Sequence, residues 1–239
     1  QSVGWVSPYG RESEQLVHAS GGCLLVCLRR EERLLPASVI KEAVDEKAAE
    51  IEARESRSVS RKERSRLKDE VLVDLLPRAF TRSARLLAYL DLQQGWLLVD
   101  SASANRAEEL VSLLRESLGS LRARPLASRT APAVVLTQWL QSTPPADFLL
   151  KDECELRDPG EDGGVVRCRR QALDGDEVGV HLAAGKQAVR LAVEWQDRVG
   201  CVLGDDWVIR RLRFLEGVQD EAAATEADDP VARLDADFT

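Results

Sequence analysis

Residues 21–30 have the sequence Gly21-Gly22-Cys23-Leu24-Leu25-Val26-Cys27-Leu28-Arg29-Arg30. A short apolar run after paired glycines is typical of a buried β-strand. The same order of glycines, apolar residues and arginines returns later in the chain, in Gly163-Gly164-Val165-Val166-Arg167-Cys168-Arg169-Arg170. This internal repeat predicts two related α+β units, each with strands before and after a helix.

A pair of helices is predicted directly after the first strand. Pro36 and Ser38 begin the first helix, and apolar residues recur at helical spacing through residues 40–51. Residues 60–63, Ser-Arg-Lys-Glu, fit a capping box, so a second helix begins there and ends before Pro77. A short polar turn between the two helices predicts an antiparallel helical arm. One long bent helix is the alternative.

Further strands and helices are predicted after the arm. They are a hairpin at residues 85–100, an amphipathic helix at 103–118 closed by Gly119, a helix at 174–184, a second hairpin at 189–203 and a strand at 208–214. We therefore expect an α+β fold of three parts. Residues 1–34 and 79–127 form a central α+β domain, residues 35–78 form the helical arm at the tip, and residues 128–239 form a second α+β domain at the base, truncated at its C-terminal end.

Composition excludes a membrane-spanning helix and favours reduced thiols. The chain has 239 residues, 44% of them hydrophobic, but no apolar run approaches the ~18 residues of a transmembrane helix. Its five cysteines are odd in number and unevenly spaced, which is typical of free thiols in a cytosol. We interpret Cys23 and Cys27 as buried thiols on one face of a strand, not as metal ligands. The chain begins at Gln1 and contains no Met, so we expect a fragment without its native N-terminus.

The net charge of −8 is distributed unevenly. Residues 216–239 carry eight acids and one base, so the preceding residues are close to neutral. Residues 54–68, in the arm, carry seven bases and two acids. Arginine accounts for 27 of the 33 basic residues, and its planar guanidinium suits phosphate. A local basic segment therefore indicates a nucleic-acid contact, with a solvated helix face of mixed charge as the alternative.

The sequence contains no known cofactor motif. The G-x-x-x-x-G-K-[ST] loop and the G-x-G-x-x-G fingerprint are both absent, so we expect no cofactor. Acids do cluster in the second half of the chain, at Asp152, Glu153, Glu155, Asp158, Glu161 and Asp162. Because residues 157–160, Arg-Asp-Pro-Gly, indicate a turn, we interpret this cluster as a solvated acidic loop and expect no bound metal. The Mg²⁺ site of a metal-dependent nuclease is the alternative.

Several segments resemble the RdgC family of bacterial recombination-associated proteins. They occur in family order along nearly the whole chain. The segments are Arg30-Glu31-Glu32-Arg33-Leu34-Leu35-Pro36, Leu67-Lys68-Asp69-Glu70-Val71, Leu75-Leu76-Pro77-Arg78-Ala79-Phe80, Val99-Asp100-Ser101-Ala102-Ser103-Ala104, Glu161-Asp162-Gly163-Gly164-Val165-Val166-Arg167, Ala184-Gly185-Lys186 and Asp235-Ala236-Asp237-Phe238.

The resemblance implies a non-enzymatic protein that binds single- and double-stranded DNA with little sequence preference and restrains the RecA recombinase. It further implies a cytoplasmic, nucleoid-associated homodimer that encircles duplex DNA as a ring with a basic inner surface. Family members extend beyond both ends of this chain, and one of their dimer contacts uses the C-terminal part.

Candidate site residues follow from the resemblance by position. It places Arg57, Arg61, Lys62 and Arg64 on a basic helical arm, and Arg78, Arg170, Gln171 and Lys186 on the inner surface that contacts DNA. We expect Arg170 and Lys186 to be exposed. Phe80 falls at the tip contact between the subunits, with an ordinary core aromatic as the alternative.

The expected mechanism of binding is electrostatic. Arginine and lysine displace counterions from the phosphates, and their release drives association. The sequence shows no recognisable helix-turn-helix with a base-reading helix, and aromatic residues, at 5%, are too few to provide much base stacking. We therefore predict sequence-nonspecific binding. A protein-interaction scaffold without direct DNA binding is the alternative.

Overall fold

A computed structural model describes residues 2–160 and 163–223 of the chain, with only the backbone of residues 222 and 223. The protein is α+β, as predicted, and it divides into two compact units, residues 1–100 and 101–239. The three-part domain division stays a prediction. The residues named above that lie outside the described part of the chain are Gln1, Glu161, Asp162, the acids from Glu226 onward and the segment 235–238.

The first unit is built on an antiparallel sheet. Its strands are β1 (Ser2–Val6), β2 (Val17–Ser20), β3 (Cys23–Leu34), β4 (Phe80–Asp91) and β5 (Trp96–Val99). The strand order is β1-β3-β4-β5, and β2 also pairs with β3. β3 and β4 pair over their whole length, from Cys23 opposite Asp91 to Leu34 opposite Phe80. Leu28 and Ala88 on these two strands are almost wholly buried. The strand predicted at residues 21–28 is confirmed as β3, which continues to Leu34.

The helical arm consists of α1 (Ala37–Glu55) and α2 (Arg61–Leu75), followed by a 3₁₀ turn at Leu76–Arg78. The helices pack through a small core of their own, with Val44 and Ala48 of α1 against Leu67 and Val71 of α2. The predicted capping box is present: the Ser60 side chain accepts from the Glu63 N–H, and the Glu63 carboxylate accepts from the Ser60 N–H. Since two separate helices form, the alternative of one long bent helix is wrong.

The second unit contains a second antiparallel sheet and four helices in its described part. The helices are α3 (Ala104–Leu118), α4 (Pro132–Gln141), α5 (Asp176–Ala183) and α6 (Glu216–Ala223); the strands are β6 (Phe148–Arg157), β7 (Val165–Arg169), β8 (Gln187–Trp195), β9 (Val199–Gly204) and β10 (Ile209–Phe214). The strand order is β10-β9-β8-β6-β7. One sheet face, including Leu156 and Leu191, packs with Leu136 of α4 and Leu182 of α5 to form the core. The side chains on the opposite face are therefore the ones that a ligand can reach.

Both predicted hairpins are confirmed, as are the helix at 104–118 and its closing Gly119, which has the left-handed φ of 73°. Strands β1, β2 and β6 and helices α4 and α6 were not predicted, and β6 contains three of the six acids of the acidic cluster. All five cysteines are free, with Cys27, Cys154 and Cys168 buried. None of the described helices has the length and apolarity needed to cross a bilayer.

Candidate nucleic-acid interface

Arg57 lies in the turn between the two arm helices and is held by two carboxylates. Its guanidinium donates to Glu63 at 2.7 and 3.0 Å and to Glu55 at 2.8 Å. The hydrogen bonds from Arg57 and from the Ser60 backbone lower the pKa of Glu63 to about 2. The pKa of Arg57 is raised in turn, chiefly by the hydrogen bonds from its side chain to Glu63 and Glu55. Arg57 therefore stabilises the turn, and only part of its guanidinium faces solvent.

The other three predicted arm residues lie in the first turns of α2. Arg61 and Lys62 are exposed. Arg64 is also exposed and forms an ion pair with Asp45 of α1 at 3.0 Å. The capping box fixes where α2 begins and so brings these bases together at one end of the arm.

Arg78 and Phe80 lie where the arm returns to the sheet of the first unit. Arg78 is exposed in the 3₁₀ turn, and Phe80, the first residue of β4, is 85% exposed. Arg33 anchors this junction by donating from Nη1 to the carbonyls of Leu76 at 2.7 Å and Pro77 at 2.9 Å. Since Phe80 is exposed in this chain, its alternative interpretation as a core aromatic is wrong, while its contact with a second subunit stays a prediction.

Arg170 and Gln171 follow β7. Arg170 is exposed, as predicted, with a left-handed φ of 56°. Gln171 is half-buried; its backbone N–H donates to the Asp152 carbonyl at 3.4 Å, and its side chain donates to Glu177 at 3.4 Å. Arg170 is therefore the exposed side chain at this corner after β7, and Gln171 is held by Asp152 and Glu177.

Lys186 lies beside the start of β7. We predicted that its side chain is exposed, and this prediction is wrong. Its side chain is only 14% accessible, and Nζ donates to Asp158 at 2.6 Å and to the Gly164 carbonyl at 3.2 Å. The hydrogen bond from Lys186 lowers the pKa of Asp158. The prediction of exposure fails because Asp158 and the Gly164 carbonyl both bind the ammonium group, an arrangement with no local signal in Ala184-Gly185-Lys186.

The most basic surface of the second unit was not predicted. Eight basic and four acidic side chains belong to the sheet face opposite the core, so this face carries an excess of four positive charges. We call it the arginine face. Its members are Lys151, Arg157, Arg167, Arg169, Arg190, Arg210, Arg211 and Arg213, with Glu153, Glu155, Glu194 and Asp206. The sequence signal was the alternation of arginine with apolar residues in Val165–Arg169 and in Ile209–Phe214.

Glu155 lies at the centre of the arginine face and is buried, with a side chain only 7% accessible. Its carboxylate accepts from Arg167 Nε at 2.9 Å, Arg157 Nη2 at 3.1 Å and Arg190 Nη1 at 3.4 Å. Burial alone would raise the pKa of Glu155, but the hydrogen bonds and charges of these arginines outweigh it and lower the pKa. Glu155 therefore remains ionised at neutral pH.

The other two glutamates of the face also bind basic side chains. Glu153 pairs with Arg211 at 2.8 Å and Arg169 at 3.5 Å, and Glu194 pairs with Lys151 at 3.0 Å. Arg211 belongs to a bulge in β10 and has a left-handed φ of 51°, which turns its side chain across the face toward Glu153. The arginine side chains are thus held in defined positions on the sheet.

The acidic cluster is not the solvated loop that we predicted. Asp152, Glu153 and Glu155 lie within β6, and Asp158 directly follows it. The prediction is wrong because alternating acids in a strand find cross-strand arginines: Glu155 is opposite Arg167, and Glu153 is opposite Arg169. In the part of the chain that the structure describes, no three His, Cys, Asp or Glu side chains are grouped to hold a metal ion.

Comparison with known proteins gives one consistent family. The family model described as "Putative exonuclease, RdgC" matches residues 1–239. The recombination-associated protein RdgC of Pseudomonas fluorescens (strain Pf0-1) is 47% identical over 240 residues, covering 100% of this chain and 78% of that protein. The proteins of the same name from Pseudomonas entomophila (strain L48) and Pseudomonas paraeruginosa (strain DSM 24068 / PA7) are each 48% identical, with the same coverage.

Proposed function

The chain belongs to the RdgC family of recombination-associated proteins, and from this premise we propose that it binds DNA without sequence preference, clamps or encircles it, and restrains RecA-dependent recombination without a catalytic step.

The observation that carries this proposal is the arginine face. Its excess of four positive charges is concentrated on one sheet surface of a chain whose net charge is −8. Phosphate neutralisation supplies most of the free energy of nonspecific DNA binding through counterion release. Guanidinium groups donate two parallel hydrogen bonds to phosphate, which favours arginine over lysine for this contact.

We propose that exposed bases of the arm, and separately of the corner after β7, also contact DNA. Arg61, Lys62, Arg78 and Arg170 are exposed and able to reach phosphates, whereas Arg57 and Lys186 are engaged by carboxylates. We assign the first group direct contact with DNA. Arg57 stabilises the turn between the arm helices, and Lys186 binds Asp158 and the Gly164 carbonyl before β7.

The proposed restraint of RecA follows from occupancy. A homodimer that closes around duplex DNA, with Phe80 at one contact between its subunits, blocks the growth of a recombinase filament. A twofold dimer presents the same patch on both subunits, so a single exposed aromatic contributes to the contact twice.

Two other functions compete with this proposal. A protein-interaction scaffold would leave the arginine face without a ligand. The description of the family model includes the words "putative exonuclease". A metal-dependent nuclease would need carboxylates directed at a cation, but Glu153, Glu155 and Asp158 are directed at basic side chains. This arrangement favours binding over hydrolysis.

Fluorescence anisotropy with labelled random-sequence duplexes over a salt series tests the proposal. We expect log K to fall by about 0.9 per phosphate contact per decade of salt, and unrelated sequences to bind within a few-fold of each other. Arg169→Glu should weaken binding, whereas Arg106→Glu, an equal charge change at an exposed position of α3, should have a smaller effect.

Three results would contradict the proposal: salt-insensitive binding, a strong preference for one sequence, or no binding, as a scaffold predicts. Incubation of the same duplexes with Mg²⁺ distinguishes the nuclease, since shortened strands would show a catalytic step.

A further inference from the structure

Glu155 occupies a special position in the second sheet because it has an arginine opposite it on both neighbouring strands. It is paired with Arg167 of β7 on one side and with Arg190 of β8 on the other. Arg157, two residues further along β6, lies on the same face and donates to the same carboxylate. Three guanidinium groups from three adjacent strands therefore converge on one buried side chain.

The burial of this cluster is uneven. The Glu155 carboxylate is covered, whereas the three arginine side chains are half to largely exposed. Each guanidinium has five N–H donors, and within the described residues each donates a single hydrogen bond to Glu155 and none to another acceptor. Each guanidinium therefore keeps donors that have no protein acceptor among the described residues, and two positive charges remain after the carboxylate is counted.

We propose that Glu155 is a positioning residue that holds Arg157, Arg167 and Arg190 as one phosphate-binding cluster, at which a phosphodiester group of the DNA backbone binds. The inference rests on the proposed DNA-binding function and identifies where on the arginine face a phosphate is bound most strongly.

The physical reason is the freedom of an arginine side chain. An unpaired arginine on a sheet surface must lose its rotamer freedom when it binds a phosphate, and that loss lowers affinity. In this cluster the hydrogen bonds to Glu155 restrict the three side chains before DNA arrives. The carboxylate thus strengthens phosphate binding although its own charge repels phosphate.

A positioning role and a simple charge effect predict opposite changes in DNA affinity when Glu155 is neutralised. If Glu155 acted only as a negative charge, Glu155→Gln would remove repulsion and raise affinity for DNA. If it acts by positioning, the isosteric Gln, whose uncharged amide accepts from fewer guanidinium groups, should lower affinity by about tenfold.

The experiment compares the full-length wild-type protein with Glu155→Gln and Asp152→Asn by anisotropy on one random duplex at fixed salt. Asp152 lies on the same strand, is exposed, and forms no ion pair within the described residues, so its variant reports the charge change alone. We expect Asp152→Asn to bind as tightly as wild type or slightly more tightly, and Glu155→Gln to bind about tenfold more weakly.

If the wild type binds DNA and the two variants bind it with equal affinity, the positioning role is wrong and the proposed function still stands. Absence of wild-type binding would instead overturn the proposed function.

A second variant keeps the test decisive if Glu155→Gln fails to fold. Arg167→Lys retains the positive charge but removes the Nε–H that donates to Glu155, so it should bind DNA about fivefold more weakly than wild type. Where both variants fold, the loss of DNA affinity in the double variant should be smaller than the product of the two single losses. With a lysine already at position 167, Glu155→Gln has no guanidinium there to release. Independent, multiplicative losses, or wild-type affinity of Arg167→Lys, would contradict the cluster.

Discussion

Gly200 in β9 lies directly beneath the side chain of Arg213 from β10. A Cβ added at Gly200 would be 2.9 Å from Arg213 Nε and 3.3 Å from its Cγ. Gly200 is paired with Arg213 on one side and with Glu194 of β8 on the other, and the Arg213 guanidinium approaches Glu194 at 4.0 Å. The missing side chain at Gly200 thus lets Arg213 cross β9 and lie flat on the arginine face.

The first prediction is that Gly200→Ala moves Arg213 without harming the fold. Gly200 does not have a positive φ, so alanine fits the backbone, and removing a strand glycine is worth about 0.5–1 kcal/mol in favour of folding. We expect an unchanged or slightly higher melting temperature and a two- to threefold weaker affinity for duplex DNA, on the order of 0.5 kcal/mol. Gly4→Ala in β1, where a Cβ meets nothing within 4 Å, is the matched control. Equal DNA affinity of the two variants would mean that Arg213 makes no contact with DNA.

The second prediction separates Arg170 from Lys186. Arg170 is exposed, so Arg170→Glu should change the free energy of unfolding by no more than about 0.5 kcal/mol while weakening DNA binding. Lys186→Glu places a second carboxylate beside Asp158, so it should lower the melting temperature whether or not DNA is present. Thermal melting and anisotropy on the same samples test both statements. A Lys186→Glu protein with normal melting and reduced binding would restore Lys186 as a direct contact.

The third prediction concerns acid stability and the turn between β9 and β10. Arg210 donates from Nη1 to Asp206 at 2.8 Å, and this interaction, assisted by the Val208 N–H, lowers the pKa of Asp206 from 3.8 to about 2. A carboxyl group whose pKa is lower in the folded state than in the unfolded state stabilises the fold. This stabilisation is complete above the ordinary pKa and is lost as the pH falls through the folded-state pKa.

Asp206→Asn should therefore lower stability at pH 7 by about 1 kcal/mol, a modest figure because the side chain is about half exposed and solvent screens the pair. Melting temperatures of the two proteins should converge as pH falls from about 4 to 2. A constant difference across that range would show that the ion pair is not the cause.

Features governed by near neighbours in the sequence were predictable. The capping box at Ser60 and Glu63 fixes the start of α2, because both partners lie within one helical turn. Gly119 closes α3 for an equally local reason, the left-handed conformation that glycine adopts at a helix end. The resemblance to the family also needed only the linear order of segments.

Features that depend on strand pairing were not predictable from one sequence. The acids of β6 were mistaken for a loop because their partners, Arg167 and Arg190, are 12 and 35 residues away. Nothing in the local sequence of Lys186 indicates that Asp158 covers its ammonium group. Cross-strand register decides the first case, since a one-residue shift would move the acids of β6 to the other face. The second case depends on how the chain turns beyond the ends of β6 and β8.

The last prediction concerns Phe80 and the closure of a ring. Phe80 pairs with Leu34 across β3 and β4, and both are exposed, as is Val73 near the end of α2. A buried phenylalanine cut down to a small residue costs about 3–5 kcal/mol, whereas an exposed one changes stability by about 0.5 kcal/mol or less. Phe80→Ser should therefore leave the melting temperature nearly unchanged. If Phe80 anchors a twofold contact, the same change should weaken dimerisation in sedimentation experiments on the full-length protein.

The control and the DNA substrate make this prediction specific. Leu98→Ser removes another exposed apolar side chain of the same sheet, at β5, and should leave dimerisation unchanged. A ring that closes around DNA cannot slip from a circle, so wild type should dissociate more slowly from circular than from linear duplex, and Phe80→Ser should reduce this difference. Equal dissociation of wild type from circles and lines would contradict a closed ring. A large fall in the melting temperature of Phe80→Ser would mean that the side chain is packed in the folded protein, and a dimer as stable as that of Leu98→Ser would remove Phe80 from the interface.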